Sequence, residues 1–425
     1  MKSRNPVIPQ RGDRILMLLY LLLVIIGWLA IYATSYSDKY PKFYDLHTKH
    51  GKQLLWIGTA WLLAFVVMMM DSKVFTTFSY FIYALVLLLM VTTPFIGKVV
   101  NGQRNWIAIG SFEIQPAEFG KLAATLAFAK FMSGLNINMK TRRTRFIGMA
   151  VFSLPAILVL LTGDTGSALV YLSFFLVMYR FGLEGYWLVL GVYFITLSVL
   201  VIIFNHYLSK YYLVGGLVFL GALASFLTRR RFLLMMVWLG LSVFSIFYVF
   251  AEDYAFKKIL KPHQQERIEV MLGIPVKKKD ADYNVRFSKI AIGSGGFWGK
   301  GFLQGTVTGG NFVPEQPTDF IYSSVGEEFG FWGSTVVILL FLTLFYRILR
   351  LAERQRSMYS RVYAYGVACI LFFHLLINIG MTIGFMPVIG IPLPFLSYGG
   401  SSLWTFTVLL FILIKLDSDR QAVLR

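Results

Sequence analysis

Cysteine is almost absent from this chain. The one residue, Cys369, lies inside an apolar run, so no internal disulfide is available. Charge is scarce as well: only 14% of the 425 residues are Asp, Glu, Lys or Arg, against roughly 25% in soluble domains. Histidine is limited to His47, His50, His206, His263 and His374, and none stands at zinc-signature spacing from cysteine or carboxylates. There is no G-x-S-x-G elbow. The glycine-rich stretch "GSGGFWGKG" (293–301) breaks the dinucleotide pattern at Trp298 and the Walker pattern at Ser294 and Gly301. These absences exclude a disulfide scaffold, a zinc site of familiar spacing, an α/β-hydrolase and a nucleotide-loop enzyme. Internal repeats and low-complexity segments are missing too.

What the chain has in abundance is hydrocarbon. It is 57% hydrophobic, and its mean hydropathy is +0.67. Twelve apolar runs long enough, or nearly so, to cross a bilayer begin near Ile15, Leu54, Phe78, Glu118, Phe146, Thr165, Tyr186, Tyr212, Phe232, Phe331, Val362 and Ser402. Each is expected to be a helix, because lipid cannot satisfy open backbone groups. The first run, Ile15 to Ala33, is too long for a signal-peptide core and reads as a retained span. The expected fold is therefore an all-α polytopic membrane protein: a bundle of about twelve transmembrane helices in a single integral membrane domain over 1–425.

The net charge of +19 does not mark nucleic-acid binding, since the basic residues punctuate the apolar runs rather than gather on a polar domain. "KTRRTR" (140–145), Arg180, "TRRR" (228–231) and "RILRLAERQRSMYSR" (347–361) fall on one face, read as cytoplasmic. Both termini, with Lys2, Arg4, Arg11, Arg14, Arg420 and Arg425, fall there too, in agreement with an even span count. The opposite face carries three long loops: 97–118, 251–319 before the tenth span, and 384–402. The second holds ten Lys or Arg, among them Lys277, Lys278 and Lys279, against eight Asp or Glu. Loops of this length largely escape the charge rule.

Polar residues at membrane depth are costly, and each one suggests a function. Glu118 and Lys121 lie three apart at the outer end of the fourth run and share a helix face. They read either as an ion pair stapling two spans or as part of a pocket that Arg104, beside Trp106, could also reach. Asp164 in "LTGDTGSA" is open to two readings, a helix N-cap or a site residue. Asn378, Ser397, Ser401 and Ser402 flank a loop made irregular by Pro387, Pro392, Pro394 and several glycines, and such backbone normally lines a cavity. In "PEQPTDFIYSSVGEEFG" (314–330), Asp319 opens a helix and could cap it. Asp319, Ser323 and Glu327 are spaced four apart, so they stack as a stripe leading inward from a polar loop. A partly desolvated carboxylate at the rim of such a cavity suits a general base.

Together these segments resemble the SEDS family, the group containing RodA, FtsW and SpoVE. The resemblance rests on "NGQRNWIAIGSFEIQPAEFGK", "GDTGSALV", "IAIGSGGFWGKG", "PEQPTDFIYSSVGEEFG" and "GIPLPFLSYGGSS", which occur in the family's order between about 100 and 405. It implies a peptidoglycan glycosyltransferase of the cytoplasmic membrane, on the RodA, cell-elongation side. Such an enzyme polymerises lipid II into glycan strands at the outer face, beside a class B penicillin-binding protein that crosslinks them. The family's essential aspartate corresponds to Asp319, its loop arginine to Arg104, and its Glu and Lys after "QP" to Glu118 and Lys121. Two departures stand out: "TGDTGS" lacks the family's Gln-Pro, and "YNVRFSK" replaces glutamines before "IAIGSGG". The stretch at about 208–250 reads as a helix pair beyond the family's core of ten.

The resemblance and the residues suggest one scheme, with Asp319 as base and Arg104 and Lys121 as cations near the leaving pyrophosphate. No cofactor follows from any ligand set, although a divalent cation is compatible with the chemistry. The alternatives are a lipid II flippase, which calls for inverted repeats and broken helices that the sequence does not display, and a non-catalytic scaffold for cell-wall enzymes.

Overall fold

All twelve apolar runs are helical in the structure, a computed structural model that describes residues 13–36, 42–100, 103–110, 112–260, 262–275, 279–310, 312–313 and 315–420. Lys2, Arg4, Arg11, Arg425, Lys277 and Lys278 lie outside the described residues. The helices are α1 (Arg14–Ser35), α2 (Lys49–Met69), α3 (Ser72–Ile96), α4 (Pro116–Met132), α5 (Arg142–Leu161), α6 (Thr165–Val170), α7 (Phe174–Arg180), α8 (Tyr186–Tyr207), α9 (Lys210–Leu227), α10 (Phe232–Lys258), α11 (Pro262–Met271), α12 (Lys279–Gly295), α13 (Thr306–Gly309), α14 (Ile321–Arg354), α15 (Met358–Thr382) and α16 (Gly400–Ser418). Ten of them are long and apolar enough to cross a membrane. The other two runs are α4, with 17 residues, and the shorter α6–α7 segment. Between α3 and α4 runs a small antiparallel sheet, β1 (Lys98–Val100), β2 (Gln103–Ile109) and β3 (Phe112–Ile114). The loop expected over 251–319 is largely helical, since α10 continues to Lys258 and α11, α12 and α13 follow.

The chain divides into two compact units, Glu184–Tyr283 and the remainder. In the smaller one, α9 and α10 occupy the stretch read from the sequence as an extra helix pair; they are two of the ten long apolar helices and pack with α8. Tyr193 and Ser198 of α8 bond to Ser245 and Tyr248 of α10 at 2.9 and 2.7 Å. Asp253 gathers Asn205, Lys210 and Lys257 at 2.7, 2.5 and 2.6 Å. The larger unit carries every candidate site residue.

One end of the larger unit is an ionic layer. Asp13, preceding α1, pairs with Arg347 and Arg354 of α14, and Asp417 of α16 pairs with Arg354 and Arg420. Distances along the helices can be counted from this layer at 1.5 Å per residue. Gly27 of α1 stands about 21 Å from Asp13, and Gly400 of α16 about 25 Å from Asp417. At that height Gly27 meets the loop 383–399 directly: a Cβ on it would fall 2.5 Å from the Leu396 Cα. The irregular loop thus dips into the bundle instead of lying above it.

α14 is broken at Gly330, whose φ of 62° and ψ of −153° are not helical. Counted from Arg354, Phe331 stands about 35 Å from the ionic layer. Yet Pro317 to Asp319, preceding the first half of this helix, are bonded to residues of the dipping loop and of α15. Ile321–Phe329, about 13 Å long at helical rise, therefore folds back toward the layer. The sequence reading found no broken helix, and this is a correction. Nothing in apolar periodicity reports a single backbone dihedral.

A break in a helix frees backbone groups that need other partners. Residues 296–301 supply the partners. Lys300 and Gly301 N–H donate to the Glu327 and Glu328 carbonyls at 3.0 Å each, and Phe331 and Trp332 N–H donate to Gly296 and Phe297 at 2.9 and 3.3 Å. So close an approach needs glycine at the crossing. A Cβ on Gly330 would fall 2.3 Å from Gly299 N, in a region of positive φ that side chains avoid. Gly330→Ala is expected to lower stability by about 3 kcal/mol or more, strain and collision together. Thermal unfolding of the purified variant in detergent checks this, and a wild-type melting temperature would refute it.

Candidate active site

Asp319 does not cap α14. The N-cap position belongs to Phe320, which offers no side-chain cap. Asp319 sits in the preceding turn, half-buried, with its N–H on Glu315 C=O at 3.0 Å. Its carboxylate lies beside Gly390, where a Cβ would come 3.3 Å from Oδ2.

Three consecutive carbonyls hold this turn. Pro317 C=O accepts from Tyr398 N–H at 2.8 Å. Thr318 C=O accepts from the Ser397 hydroxyl, which in turn accepts Leu393 N–H at 2.8 Å. Asp319 C=O accepts from Asn378 Nδ2 at 2.8 Å, and the same amide nitrogen reaches Ile391 C=O at 2.7 Å. Ser397 and Asn378, expected at the substrate, thus have their donors committed to backbone and act by positioning Asp319. Asn378→Ala strips two carbonyls of a donor, at a cost of about 1–3 kcal/mol. Its turnover is expected to fall while KM stays near wild type, since no substrate contact is lost. Steady-state kinetics distinguish the two, and a raised KM with unchanged kcat would refute the positioning role.

Glu118 and Lys121, expected at a substrate pocket, are sealed inside the bundle at 2% and 0% exposure. Lys121 Nζ donates to Glu118 Oε1 at 2.7 Å and stands 3.0 Å from His374 Nε2. His374 Nδ1 lies 3.0 Å from Pro392 C=O. With Nδ1 as the donor to that carbonyl, Nε2 is left to accept from the lysine. This relay runs from α4 through α15 into the loop that clamps Asp319.

Asp164 caps α6: Oδ1 accepts Ser167 N–H at 2.9 Å, and Oδ2 accepts the Ser167 hydroxyl at 2.8 Å and Gln115 Nε2 at 3.0 Å. The next helical turn presses on the same loop, because a Cβ on Gly166 would fall 2.2 Å from Ile389 O. Ser401 joins α16 to the sheet, accepting Gln115 N–H at 3.2 Å and donating to Glu113 C=O at 3.3 Å. Ser402, half-buried, donates to Gly399 C=O at 3.2 Å.

The stripe inward from Asp319 is buried, and its side chains bond to protein. Ser323 donates to Phe320 C=O at 2.7 Å. Glu327 is fully buried and takes five hydrogen bonds, from Lys300 Nζ, the Thr306 hydroxyl, Val307 N–H, and both the N–H and hydroxyl of Thr308. It ties α13 to the broken helix. Arg104, on β2, is exposed and reaches Pro94 C=O at 3.4 Å. Among the described residues, no three His, Cys, Asp or Glu side chains come together as metal ligands.

Most of the candidate residues thus brace one loop, 383–399, or the helix break beside it, and half-buried Asp319 stands next to that loop. A carboxylate held on a rigid backbone is suited to accepting a proton from a bound hydroxyl. Sequence reasoning missed His374 and Gln115. His374 stands four residues before Asn378 on one face of α15, a spacing that was available to it. Gln115 carried no comparable signal.

The comparisons with known proteins agree on one group. The model of the FtsW, RodA and SpoVE family, described as cell cycle proteins, matches residues 13–214 and 184–422. The peptidoglycan glycosyltransferase RodA of Treponema pallidum (strain Nichols) is 32% identical over 430 residues, covering 96% of this chain and 97% of that protein. The peptidoglycan glycosyltransferase MrdB of Escherichia coli (strain K12) is 28% identical over 410 residues, covering 96% and 94%. Among solved structures, a chain from a peptidoglycan synthase complex that coordinates polymerization and crosslinking superposes with a TM-score of 0.70 at 25% identity, covering 96% and 98%.

Proposed function

The chain belongs to the FtsW, RodA and SpoVE family of cell cycle proteins, and from that membership we propose that it is a peptidoglycan glycosyltransferase with Asp319 as its general base. It is a multi-pass membrane protein. Its substrate, both donor and acceptor, is lipid II, and its membrane is the bacterial cytoplasmic membrane, with the termini and the ionic layer on the cytoplasmic side. The dipping loop then opens to the outer face. A class B penicillin-binding protein is the crosslinking partner, in keeping with the synthase complex among the structural neighbours.

The acceptor's GlcNAc 4-hydroxyl lies against Asp319. The carboxylate takes its proton as the oxygen bonds to the anomeric carbon of the growing strand's terminal MurNAc. The bond to undecaprenyl pyrophosphate breaks with its electron pair leaving on that group, and α becomes β. A single displacement needs one base, not the nucleophile-and-acid pair of a retaining glycosidase. Arg104 is placed to meet an anionic group arriving from the membrane surface. Glu118, Lys121 and Asp164 serve by fixing the loop.

The observation that carries this reading is the clamp on the carbonyls of 317, 318 and 319, which fixes the Asp319 backbone with its half-buried carboxylate beside Gly390. Purified protein with lipid II in detergent, scored for glycan chains with and without the crosslinking partner, tests it. Absence of chains under both conditions would refute it. The broken helix favours a second reading, a lipid II flippase. Transport would require the ionic layer joining α1, α14 and α16 to part. Flipping of labelled lipid II in proteoliposomes, with no polymer formed, would favour it.

A further inference from the structure

Lys121 is sealed, so further cations for a leaving diphosphate are sought around Asp319. α12 carries two. Its Val285 packs with Phe320, the residue after Asp319, and with Val388. Its Ser288 hydroxyl donates to Thr382 C=O at 2.9 Å, at the end of α15. One residue beyond each of these anchors stand Arg286 and Lys289, both exposed and three apart, so they share a helix face.

Lys289 has a built seat. Gly384, with φ of +79°, leaves the space it fills: a Cβ there would fall 2.4 Å from Lys289 Cε and 2.5 Å from Nζ. At the other end of the same segment, Gly390 leaves room for Asp319 Oδ2. One stretch, 384–390, therefore has an ammonium at its first residue and the acid at its last. Among the described residues, neither Arg286 nor Lys289 enters an ion pair, whereas Arg180, Lys300, Arg347 and Arg354 all do.

Resting on the glycosyltransferase reading, we infer that Arg286 and Lys289 bind the diphosphate of the polyprenyl-linked sugar. Arg286 offers a planar fork and Lys289 a point charge. As the glycosidic bond breaks, the negative charge that develops on the departing diphosphate is met by both. The same phosphate chemistry occurs in anionic phospholipid headgroups.

The test uses the full chain in detergent and farnesyl diphosphate as a soluble probe, followed by calorimetry, with phosphatidylglycerol micelles as competitor. The wild type is expected to bind the probe. Arg286→Ala and Lys289→Ala should each weaken binding roughly tenfold, and Lys289→Arg should largely restore it. Melting temperatures should stay put, because both side chains are exposed. No binding by the wild type, undiminished binding by the double variant, or displacement by phosphatidylglycerol at equal concentration would each overturn the inference. Polymerisation separates it from the reading beneath. If the wild type polymerises lipid II and the double variant keeps the same KM, the diphosphate site falls and the glycosyltransferase stands. If the wild type makes no glycan while the variants still lose the probe, the glycosyltransferase falls and the site stands.

Discussion

Asp319→Asn is expected to stop glycan synthesis while leaving the protein folded. The substitution removes the base but keeps size and shape. The three carbonyl contacts that hold the turn come from backbone atoms of 317, 318 and 319 and survive it. A positioned general base contributes about 10²–10⁴-fold in rate, so kcat should fall by at least about 100-fold. No cap on α14 is lost, because Phe320 occupies the N-cap position. Chain length resolved on gels against lipid II consumption measures the rate, and thermal unfolding measures the fold. Polymer made by the variant at the wild-type rate would remove Asp319 from the chemistry.

Lys121→Met is expected to produce the largest loss of stability. It leaves Glu118 buried at 2% exposure without its counter-ion, and His374 Nε2 without its neighbour. Breaking a buried pair by removing one partner costs about 3–5 kcal/mol, whereas replacing both partners by residues of similar volume is often neutral. The double variant Glu118→Gln with Lys121→Met should therefore recover most of the melting temperature that the single variant loses. Polymerisation should track this recovery, because the pair acts through His374 and the loop. A single variant with wild-type melting and no turnover would mean instead that Lys121 meets the substrate.

The two predictions differ in kind for a structural reason. Asp319 is set by backbone contacts and can exchange its carboxylate for an amide without losing them. Lys121 is set by its charge and cannot. The same contrast separates residues that were legible in the sequence from those that were not. Asp319 was found because a carboxylate beside an apolar run is costly enough to demand a role. Glu327 met the same criterion, yet its five hydrogen bonds make it an anchor between α13 and α14. Cost signals importance without saying whether the partner is protein or substrate. Lone polar residues such as His374 and Gln115 gave little signal, since their partners at Lys121, Pro392 and Asp164 belong to other elements.

By itself the sequence determined that this chain is a helical membrane protein, where its apolar helices run, and that an acid stands before the tenth run. Those properties follow from composition and periodicity, because lipid accepts only chains that close their own backbone hydrogen bonds along each segment. Only the tertiary structure decided that α14 breaks at Gly330, that the loop 383–399 descends among the helices, and that most of the expected substrate residues instead hold that loop in place. These depend on single dihedral angles and on partners that belong to other elements of the chain, and no local pattern records either.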